Sequence, residues 1–387
     1  MDLWLAASTD LGGWLHDLDP IVLPIHGSIA VRWYGLSYIG GFIIAYVLLV
    51  LLAKRRLIAI PPERVLDAMT MLVVGVVVGG RLGYLLLYRP SYLWTFEDTF
   101  PWYAAIDITR GGMASHGGII GVVIAGLVIA RGFRNEDAER VGACPGLHVG
   151  DALALVAPSG LFLGRIANFV NGELLGKIVA QPGALAPWWA VRYPQELLSD
   201  HAKAVELSDV QRYELTRLAF DFAPPGEVSE EQVLSRLVDL VQSGNAEVIE
   251  RIAPLISARH PSQLYQAFAE GIVVSVVVWW VARKPRLPGV VGAWFLIVYG
   301  AGRVVTEFWR LPDDHFEGSG FFDLTSPRPL GLSRGQWLSV LMVVIGIGLL
   351  AWRSFNRNER RYLGWAERPS PGDHPSPDAS GVGSASG

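Results

Sequence analysis

The stretch GRIANFVNGELLGK, residues Gly164 to Lys177, decides how the rest of this chain is interpreted. It places an arginine, two asparagines and a glutamate at the end of a long apolar run. Such polar groups are costly in a bilayer, and proteins keep them where they pair with one another or face a polar cavity. At helical spacing Arg165, Asn168 and Gly172 share one side, and Glu173 lies one step further round. We therefore expect a polar pocket here, and the alternative is a helix-packing seam joined by buried polar groups.

The composition indicates a membrane protein. The 387 residues are 51% hydrophobic and only 18% charged, and the mean hydropathy is +0.34. The 14 tryptophans and 12 tyrosines suit aromatic belts at the membrane interfaces. A net charge of −4 gives no support to a nucleic-acid partner. With Cys144 as the single cysteine, the chain forms no intramolecular disulfide and no Cys/His metal cluster.

Seven segments are long and apolar enough to span a bilayer. They are residues 30–53, 66–88, 113–130, 152–171, 262–281, 289–309 and 337–352. Clusters of lysine and arginine follow the first, third, fifth and seventh segments, so the positive-inside rule places the N-terminus outside and the C-terminus in the cytoplasm. The expected fold class is an all-α polytopic membrane protein with seven transmembrane helices.

These spans divide the chain into five parts. They are an external lead-in (1–29), transmembrane helices 1–4 (30–172), an external insertion between the fourth and fifth helices (173–261), helices 5–7 (262–353) and a cytoplasmic tail (354–387). In the insertion, Ser229 with Gln232 predicts a capping box at the start of a helix. The tail is rich in proline, serine and glycine, so we expect it to be largely disordered.

The sixth span carries a second set of polar residues. Tyr299, Arg303 and Glu307 follow one another at a spacing of four and share one helical face. Arg303 and Glu307 can pair along that face, which lowers the cost of burying them. A purely structural ladder of ion pairs is the alternative interpretation.

The earlier spans add aromatic side chains and a histidine. Tyr34, at the start of the first span, is a candidate site residue, and the alternative is that it only anchors the helix at the membrane interface. Tyr84 lies one turn beyond Gly80 in the second span. His116 opens the third span inside the glycine-dense run RGGMASHGGIIG. A histidine at a helix start is often a polar cap, but it is also the side chain best suited to move a proton near neutral pH.

The expected topology places these groups at one depth. Arg81, Arg165 and Arg303 lie in the outer halves of their spans, and Tyr34 and His116 begin spans at the same level. Two or three arginines with tyrosine and asparagine donors form an anion site, and the arginine fork suits phosphate. We therefore predict a membrane protein that binds an anionic phospholipid headgroup from the outer side.

GRIANFVNGELLG closely resembles the signature of the prolipoprotein diacylglyceryl transferase family. Five more segments resemble the family's other motifs and occur in its order: RWYGLSYIGG (32–41), GGRLGYLLLY (79–88), GGMASHGGIIG (111–121), RHPSQLYQ (259–266) and YGAGRVVTEFWRLPD (299–313). Arg32 departs from the family's common histidine, and Gln266 departs from a frequent glutamate.

The resemblance implies an enzyme of the bacterial cytoplasmic (inner) membrane with its active site toward the outer face. The reaction would transfer the diacylglyceryl group of phosphatidylglycerol to the lipobox cysteine of a prolipoprotein. A thioether forms, and glycerol phosphate leaves. No metal and no organic cofactor are implied. The implied partners are phosphatidylglycerol, the lipobox peptide and the bilayer.

The resemblance also assigns roles to individual positions. His116 matches a histidine proposed to deprotonate the thiol, and Arg165 and Arg303 match arginines that contact the lipid phosphate. The remaining candidates are expected to bind substrate or shape the pocket: Tyr34, Tyr84, Asn168, Glu173, Gly176, Tyr299 and Glu307.

Two other functions are compatible with buried arginines. A lipid transporter is expected to show paired repeats and broken helices in corresponding halves, and the sequence shows neither. A non-catalytic protein that binds anionic lipid could use the same phosphate site, but it would not need His116 beside it.

Overall fold

The computed structural model describes residues 11–26, 29–96, 98, 102–107, 112–198, 205, 207–223, 226, 229–311, 333–356 and 360–365. The helices are α1 (Trp33–Lys54), α2 (Val65–Leu87), α3 (Ser115–Ala130), α4 (Gly146–Asn171), α5 (Asp209–Asp221), α6 (Glu230–Gln242), α7 (Ala246–Ile252), α8 (Ser262–Gln266), α9 (Val274–Ala282), α10 (Val290–Thr306) and α11 (Arg334–Phe355). A π-helical turn, Ala267–Val273, joins α8 to α9 without a break.

Six of the described helical segments are long and apolar enough to cross a membrane. They are Trp33–Lys54, Pro62–Leu87, Gly146–Asn171, Ser262–Ala282, Val290–Trp309 and Gly335–Phe355. They coincide with six of the predicted spans, so the chain is a polytopic membrane protein. The apolar part of α3, His116–Ala130, is shorter than these six, and a total of seven spans stays a prediction.

Glycines bring α2 and α3 into backbone contact. A Cβ atom on Gly121 would lie 1.8 Å from the carbonyl oxygen of Gly75, and one on Gly79 would lie 2.4 Å from that of Gly117. Side chains at these positions would force the helices apart. The small residues of the second span therefore form a packing seam with α3.

The helix α4 packs at the centre of the bundle against α1, α3, α9 and α10. Pro158 lies inside it, where the indole Nε1 of Trp279 donates to the Leu155 carbonyl at 3.1 Å. Near the N-terminal end of α4, the carboxylate of Asp151 accepts the backbone N–H of Gly289 at 2.7 Å and so fixes the start of α10. Both contacts hold the helices that carry the polar residues.

The lead-in and the insertion form one cap. The strands of the chain are β1 (Trp14–Leu15), β2 (Ile21–His26), β3 (Ile29–Arg32), β4 (Phe133–Arg134), β5 (Arg140–Val141), β6 (Ile178–Ala180), β7 (Val191–Arg192), β8 (Ala258–Arg259), β9 (Pro285–Arg286) and β10 (Tyr362–Leu363). The four-stranded sheet of the cap has the order β1, β7, β8, β6. Strand β1 is parallel to β7, and the other neighbours are antiparallel. A buried ion pair joins Glu196 to Arg259 of β8. The lead-in is thus a strand of the same sheet as the insertion.

The three helices of the insertion pack against this sheet through their own apolar cluster. Leu218, Leu237 and Ile252 are fully buried there with Leu15 of β1. The capping box predicted for the second of these helices is confirmed, because the backbone N–H of Gln232 donates to the Ser229 hydroxyl at 3.3 Å.

At the other end of the bundle, the chain that follows α11 returns to the helices. Strand β10 (Tyr362–Leu363) pairs antiparallel with β9 (Pro285–Arg286), and the Leu363 N–H donates to the Leu57 carbonyl at 3.0 Å. The first part of the expected tail is therefore packed against the protein. Residues 366–387 lie outside the described residues.

The packing seam between α2 and α3 predicts different effects on the melting temperature for substitutions at two glycines of α3. Gly121→Leu should lower the melting temperature in detergent strongly, because the side chain must displace the α2 backbone and overpacking costs about 1–3 kcal/mol or more. Gly118→Ala is the matched control, since its Cβ would meet its nearest neighbour at 3.7 Å. A Gly121→Leu protein as stable as the Gly118→Ala protein would contradict the seam.

Candidate active site

A buried carboxylate joins the two principal arginines. Arg165 on α4 donates from Nε and Nη2 to Oε2 of Glu270 at 3.1 and 3.0 Å. Arg303 on α10 donates from Nη1 to Oε1 of the same carboxylate at 3.4 Å. The Glu270 side chain is 0% exposed, whereas Arg165 and Arg303 keep 17% and 15% of their surface. One side of each guanidinium is therefore held, and some surface of each remains accessible.

The π-helical turn presents Glu270 to the arginines. Such turns are rare and are found frequently at functional sites. Gly271, the next residue, lets this turn approach α4 closely, since a Cβ there would lie 2.6 Å from the Cβ of Phe162. The carboxylate can reach Arg165 because the two backbones are this near.

A second carboxylate, that of Glu307, extends the network beyond the C-terminal end of α10. Arg303 Nη2 lies 3.3 Å from Oε2 of Glu307, and Arg310 Nη1 lies 3.5 Å from its Oε1. The predicted pair of Arg303 with Glu307 is thus confirmed. Arg165 and Arg303 thus share the carboxylate of Glu270, and Glu307 lies between Arg303 and Arg310. Guanidinium groups held in this way are suited to bind a phosphodiester.

Two tyrosines lie close to the arginines. The charges of Arg165, Arg303 and Glu270 all act on the Tyr299 hydroxyl, and the charges of Arg165 and Glu173 act on that of Tyr34. Both predicted tyrosines therefore border the network, and they add hydroxyl groups to its arginine donors.

The chain turns sharply where α4 ends. Asn168 is nearly buried one turn beyond Arg165, but the helix stops at Asn171 and Gly172 takes the left-handed conformation at φ 65°. The expectation that Gly172 and Glu173 continue the helical face of Arg165 is therefore wrong, because a glycine in this conformation ends a helix. Glu173 is exposed, and its carboxylate accepts from Nδ2 of Asn171 at 3.1 Å.

Gly176 is a point of close backbone contact. A Cβ there would lie 2.1 Å from the carbonyl oxygen of His260. Its backbone also pairs with Arg310, and its carbonyl accepts from Arg259 Nη1 at 3.1 Å. Gly176 therefore joins the chain after α4 to the ends of α10 and β8.

Arg81 does not join the anion site. Its guanidinium donates to the carbonyls of Ala104, Ala105, Asp107 and Gly112 at 2.7 to 3.1 Å. We expected three arginines at one depth, but these carbonyls occupy Arg81 because the loop before α3 folds back over α2. It is a structural residue.

His116 and Tyr84 lie on the α2–α3 side of the protein. His116 is exposed at the start of α3, and within the described residues no hydrogen bond or ion pair joins it to Arg165, Arg303 or Glu270. Tyr84 packs over Gly112 and stacks on Tyr88. The structure brings Tyr34, Tyr299 and Glu307 to the arginines, and it records no such contact for these two.

The comparisons with known proteins show the family of this chain. The model of the family described as prolipoprotein diacylglyceryl transferase matches residues 20–352. The chain belongs to this family. The phosphatidylglycerol–prolipoprotein diacylglyceryl transferase of Bdellovibrio bacteriovorus is 41% identical over 350 residues, which cover 87% of this chain and 93% of the relative. The proteins of the same name from Ralstonia pickettii and Burkholderia thailandensis are each 35% identical, over 86% and 87% of this chain and 93% and 95% of the relatives.

The family is one of transferases. In this chain, the sequence patterns considered above did not identify Glu270 as a site residue. A glutamate in the apolar segment AFAEGIV of a predicted span is itself a signal, because ionisable groups at such depth are costly and mark functional sites. Its contact with Arg165 could not be read from spacing, since 105 residues separate the two.

His16 of the lead-in was also missed. It is fully buried between Phe169 and Tyr193, and its Nε2 donates to the Phe169 carbonyl at 2.7 Å. Its Nδ1 accepts from the Gln195 amide at 3.2 Å, and Gln195 packs over Gly172. The cap thus clamps the turn that leads from α4 to Glu173.

The clamp predicts an acid-sensitive stability. Burial lowers the pKa of His16 from 6.5 to about 4. An unfolded chain binds this proton below pH 6.5 and the folded one only near pH 4, so the contribution is full above pH 6.5 and is lost toward pH 4. The change is about 3 kcal/mol. Between pH 7 and pH 5, the melting temperature in detergent should drop further for the wild type than for His16→Phe. Equal drops in the two proteins would refute this role of His16.

Proposed function

We propose that this chain transfers the diacylglyceryl group of phosphatidylglycerol to the lipobox cysteine of prolipoproteins, the first step of bacterial lipoprotein maturation. The observation that carries the proposal is the pair of arginines held by Glu270, both of which keep accessible side-chain surface. The names of the relatives state the same donor and acceptor.

The reaction places charge where these arginines lie. The cysteine thiolate attacks the diacylglycerol carbon that carries the phosphate, an S–C bond forms, and the C–O bond breaks. Glycerol phosphate leaves with the electron pair of that bond on its phosphate oxygen. The singly charged diester thereby becomes a monoester with up to two negative charges. Arg165 and Arg303 stabilise that growing charge, because prepositioned donors in a site shielded from water act strongly on a transition state.

Glu270 prepares the arginines for this role. Two guanidinium groups facing one phosphate repel each other, and a carboxylate between them lowers that cost. Arg165 gives Nε and Nη2 to Glu270, which leaves Nη1 for an anion. Tyr34, Asn168 and Tyr299 supply uncharged donors around the same space.

The nucleophile comes from the substrate. Cys144 lies just before the first residue of α4, and Arg165 lies 19 residues into that helix, about 28 Å away. Burial also raises the pKa of the Cys144 thiol to about 11, which leaves little thiolate at neutral pH.

The proposed orientation puts the site at the outer face of the bacterial cytoplasmic membrane. Basic residues cluster at the end of the bundle that holds Lys54, Arg131 and Arg286, whereas the cap covers the end that holds Arg165. The positive-inside rule then places the cap outside. With α3 as a shorter, seventh span, the N-terminus is outside and the C-terminus is cytoplasmic, in agreement with the expected division of the chain.

His116 is the proposed base for the thiol. It is exposed at the start of α3, so a bound lipobox peptide can reach its imidazole. The alternative is that the arginines stabilise the thiolate and His116 only positions the headgroup.

The rate of transfer should depend on the planar guanidinium group of Arg165. Purified protein incubated with phosphatidylglycerol and a lipobox peptide should add the diacylglyceryl mass to the cysteine. Arg165→Lys should lower this rate about 100-fold or more while the protein still folds, because lysine cannot bind Glu270 and phosphate with one planar group. Arg64→Lys, at the basic end of the bundle, is the matched control and should keep the wild-type rate. No transfer by the wild type would overturn the proposal, and full activity of Arg165→Lys would remove Arg165 from the site.

The role of His116 predicts a change in the pH profile. His116→Ala should lower transfer about 100-fold at pH 7, the usual contribution of a general base. The loss should shrink as the pH rises toward the ordinary thiol pKa of about 8.5, since the thiolate then forms without help. Rates measured from pH 6 to pH 9 test this. A loss of equal size at every pH would assign His116 to headgroup positioning instead.

A further inference from the structure

Gln266, the last residue of α8, is buried without a hydrogen-bond partner. Its side chain is 0% exposed, and neither Nε2 nor Oε1 has a partner within the described residues. Burying both ends of an amide in this way destabilises a protein, because each end loses its hydrogen bonds to water. Nothing in the packing or in the mechanism above explains why a glutamine lies here.

The neighbouring glutamine shows what a structural amide looks like in this helix. Gln263 is also 0% exposed, but its Oε1 accepts from the Tyr193 hydroxyl at 3.1 Å and its Nε2 donates to the Glu173 carbonyl. One turn of the helix thus carries a satisfied amide and an unsatisfied one. The difference marks Gln266 as a residue whose partner is absent.

Helical geometry places Gln266 beside the anion site. It precedes Glu270 by four residues and so lies about one turn outward of the carboxylate that holds Arg165. Asn168 lies about 4.5 Å outward of Arg165 on the facing helix. The unpaired amide of Gln266 and the side chain of Asn168 therefore lie one step outward of the arginines.

The headgroup of the proposed donor lipid has a matching shape. Its phosphate is followed by a glycerol whose two free hydroxyl groups are adjacent and uncharged. With the phosphate on Arg165 and Arg303, and the acyl chains toward the membrane, this diol points outward. Each hydroxyl donates one hydrogen bond and accepts others, which an amide with one donor end and one acceptor end can match.

We infer that Gln266 binds the vicinal diol of the phosphatidylglycerol headgroup and makes the site selective for that lipid among those with one phosphodiester. This inference rests on the proposed function. The phosphate supplies affinity through charge, and the diol supplies selectivity through the buried amide. Access requires rotation of the Gln266 side chain toward the arginines, which already keep exposed surface one turn inward.

The test compares two donor lipids that differ only in the diol. Phosphatidylglycerol and phosphatidylpropanol carry the same charge, but the second has no free hydroxyl. The wild type should transfer faster from phosphatidylglycerol by about tenfold in kcat/KM, the value of one hydrogen bond to an uncharged partner. Gln266→Met keeps the size of the side chain and removes both polar atoms, so it should bring this ratio close to one.

Gln263→Met is the matched control. It breaks the hydrogen bonds to Tyr193 and to the Glu173 carbonyl, so it should lower the melting temperature and leave the lipid ratio as in the wild type. Gln266→Met should not lower the melting temperature, since it removes no hydrogen bond of the lipid-free protein. This contrast separates loss of folding from loss of selectivity.

The outcomes are distinct. If the wild type transfers from neither lipid, the proposed function itself fails. If it transfers from phosphatidylglycerol and Gln266→Met keeps the wild-type ratio, the function stands and the role of Gln266 is overturned. A drop in the melting temperature of Gln266→Met as large as that of Gln263→Met, with the ratio unchanged, would show that the amide is satisfied inside the protein and would also overturn it.

Discussion

The carboxylate of Glu270 between the guanidinium groups of Arg165 and Arg303 is the interaction on which the rest of the site depends. None of the three groups is stable alone at this depth, because an unpaired charge in a nonpolar medium costs several kcal/mol. Three helical segments must therefore meet at one point. The approach of the π-helical turn to α4 at Gly271 satisfies that requirement.

This arrangement also explains how the site can hold a phosphate. Arginines without the carboxylate would repel each other, and each guanidinium has five N–H donors, so one carboxylate cannot occupy them all. Here Glu270 binds one edge of Arg165, and Glu307 shares Arg303. The carboxylates thus hold the geometry of the arginines, and Arg165 and Arg303 keep accessible surface.

The cap holds the segment of chain that leads out of α4. His16 and Gln195 hold the turn at Gly172, and Gly176 lets the chain after α4 pair with the end of α10. Trp14 of β1 and Val191 of β7 lie more than 170 residues apart in sequence, yet they pair in one sheet. The backbone contacts of the cap hold the chain that follows α4 beside the end of α10.

Local patterns predicted much of the fold. Apolar runs located six long helices, a Ser–Gln spacing predicted the capping box at Ser229, and the pairing of Arg303 with Glu307 followed from helical spacing alone. Each depends on residues a few positions apart, so sequence suffices. The same logic failed at Glu173, where one left-handed glycine ends the periodicity, and at Arg81, whose partners are carbonyls of a folded loop.

The sequence by itself determined that this chain crosses a membrane, that it carries arginines at a depth where they need partners, and which family it resembles. Only the tertiary structure decided what those partners are. Glu270 lies 105 residues from Arg165, and neither spacing nor composition relates two residues so far apart. The cost of burying their charges apart from each other is what requires them to meet, and the packing of α4 against the π-helical turn sets where they do.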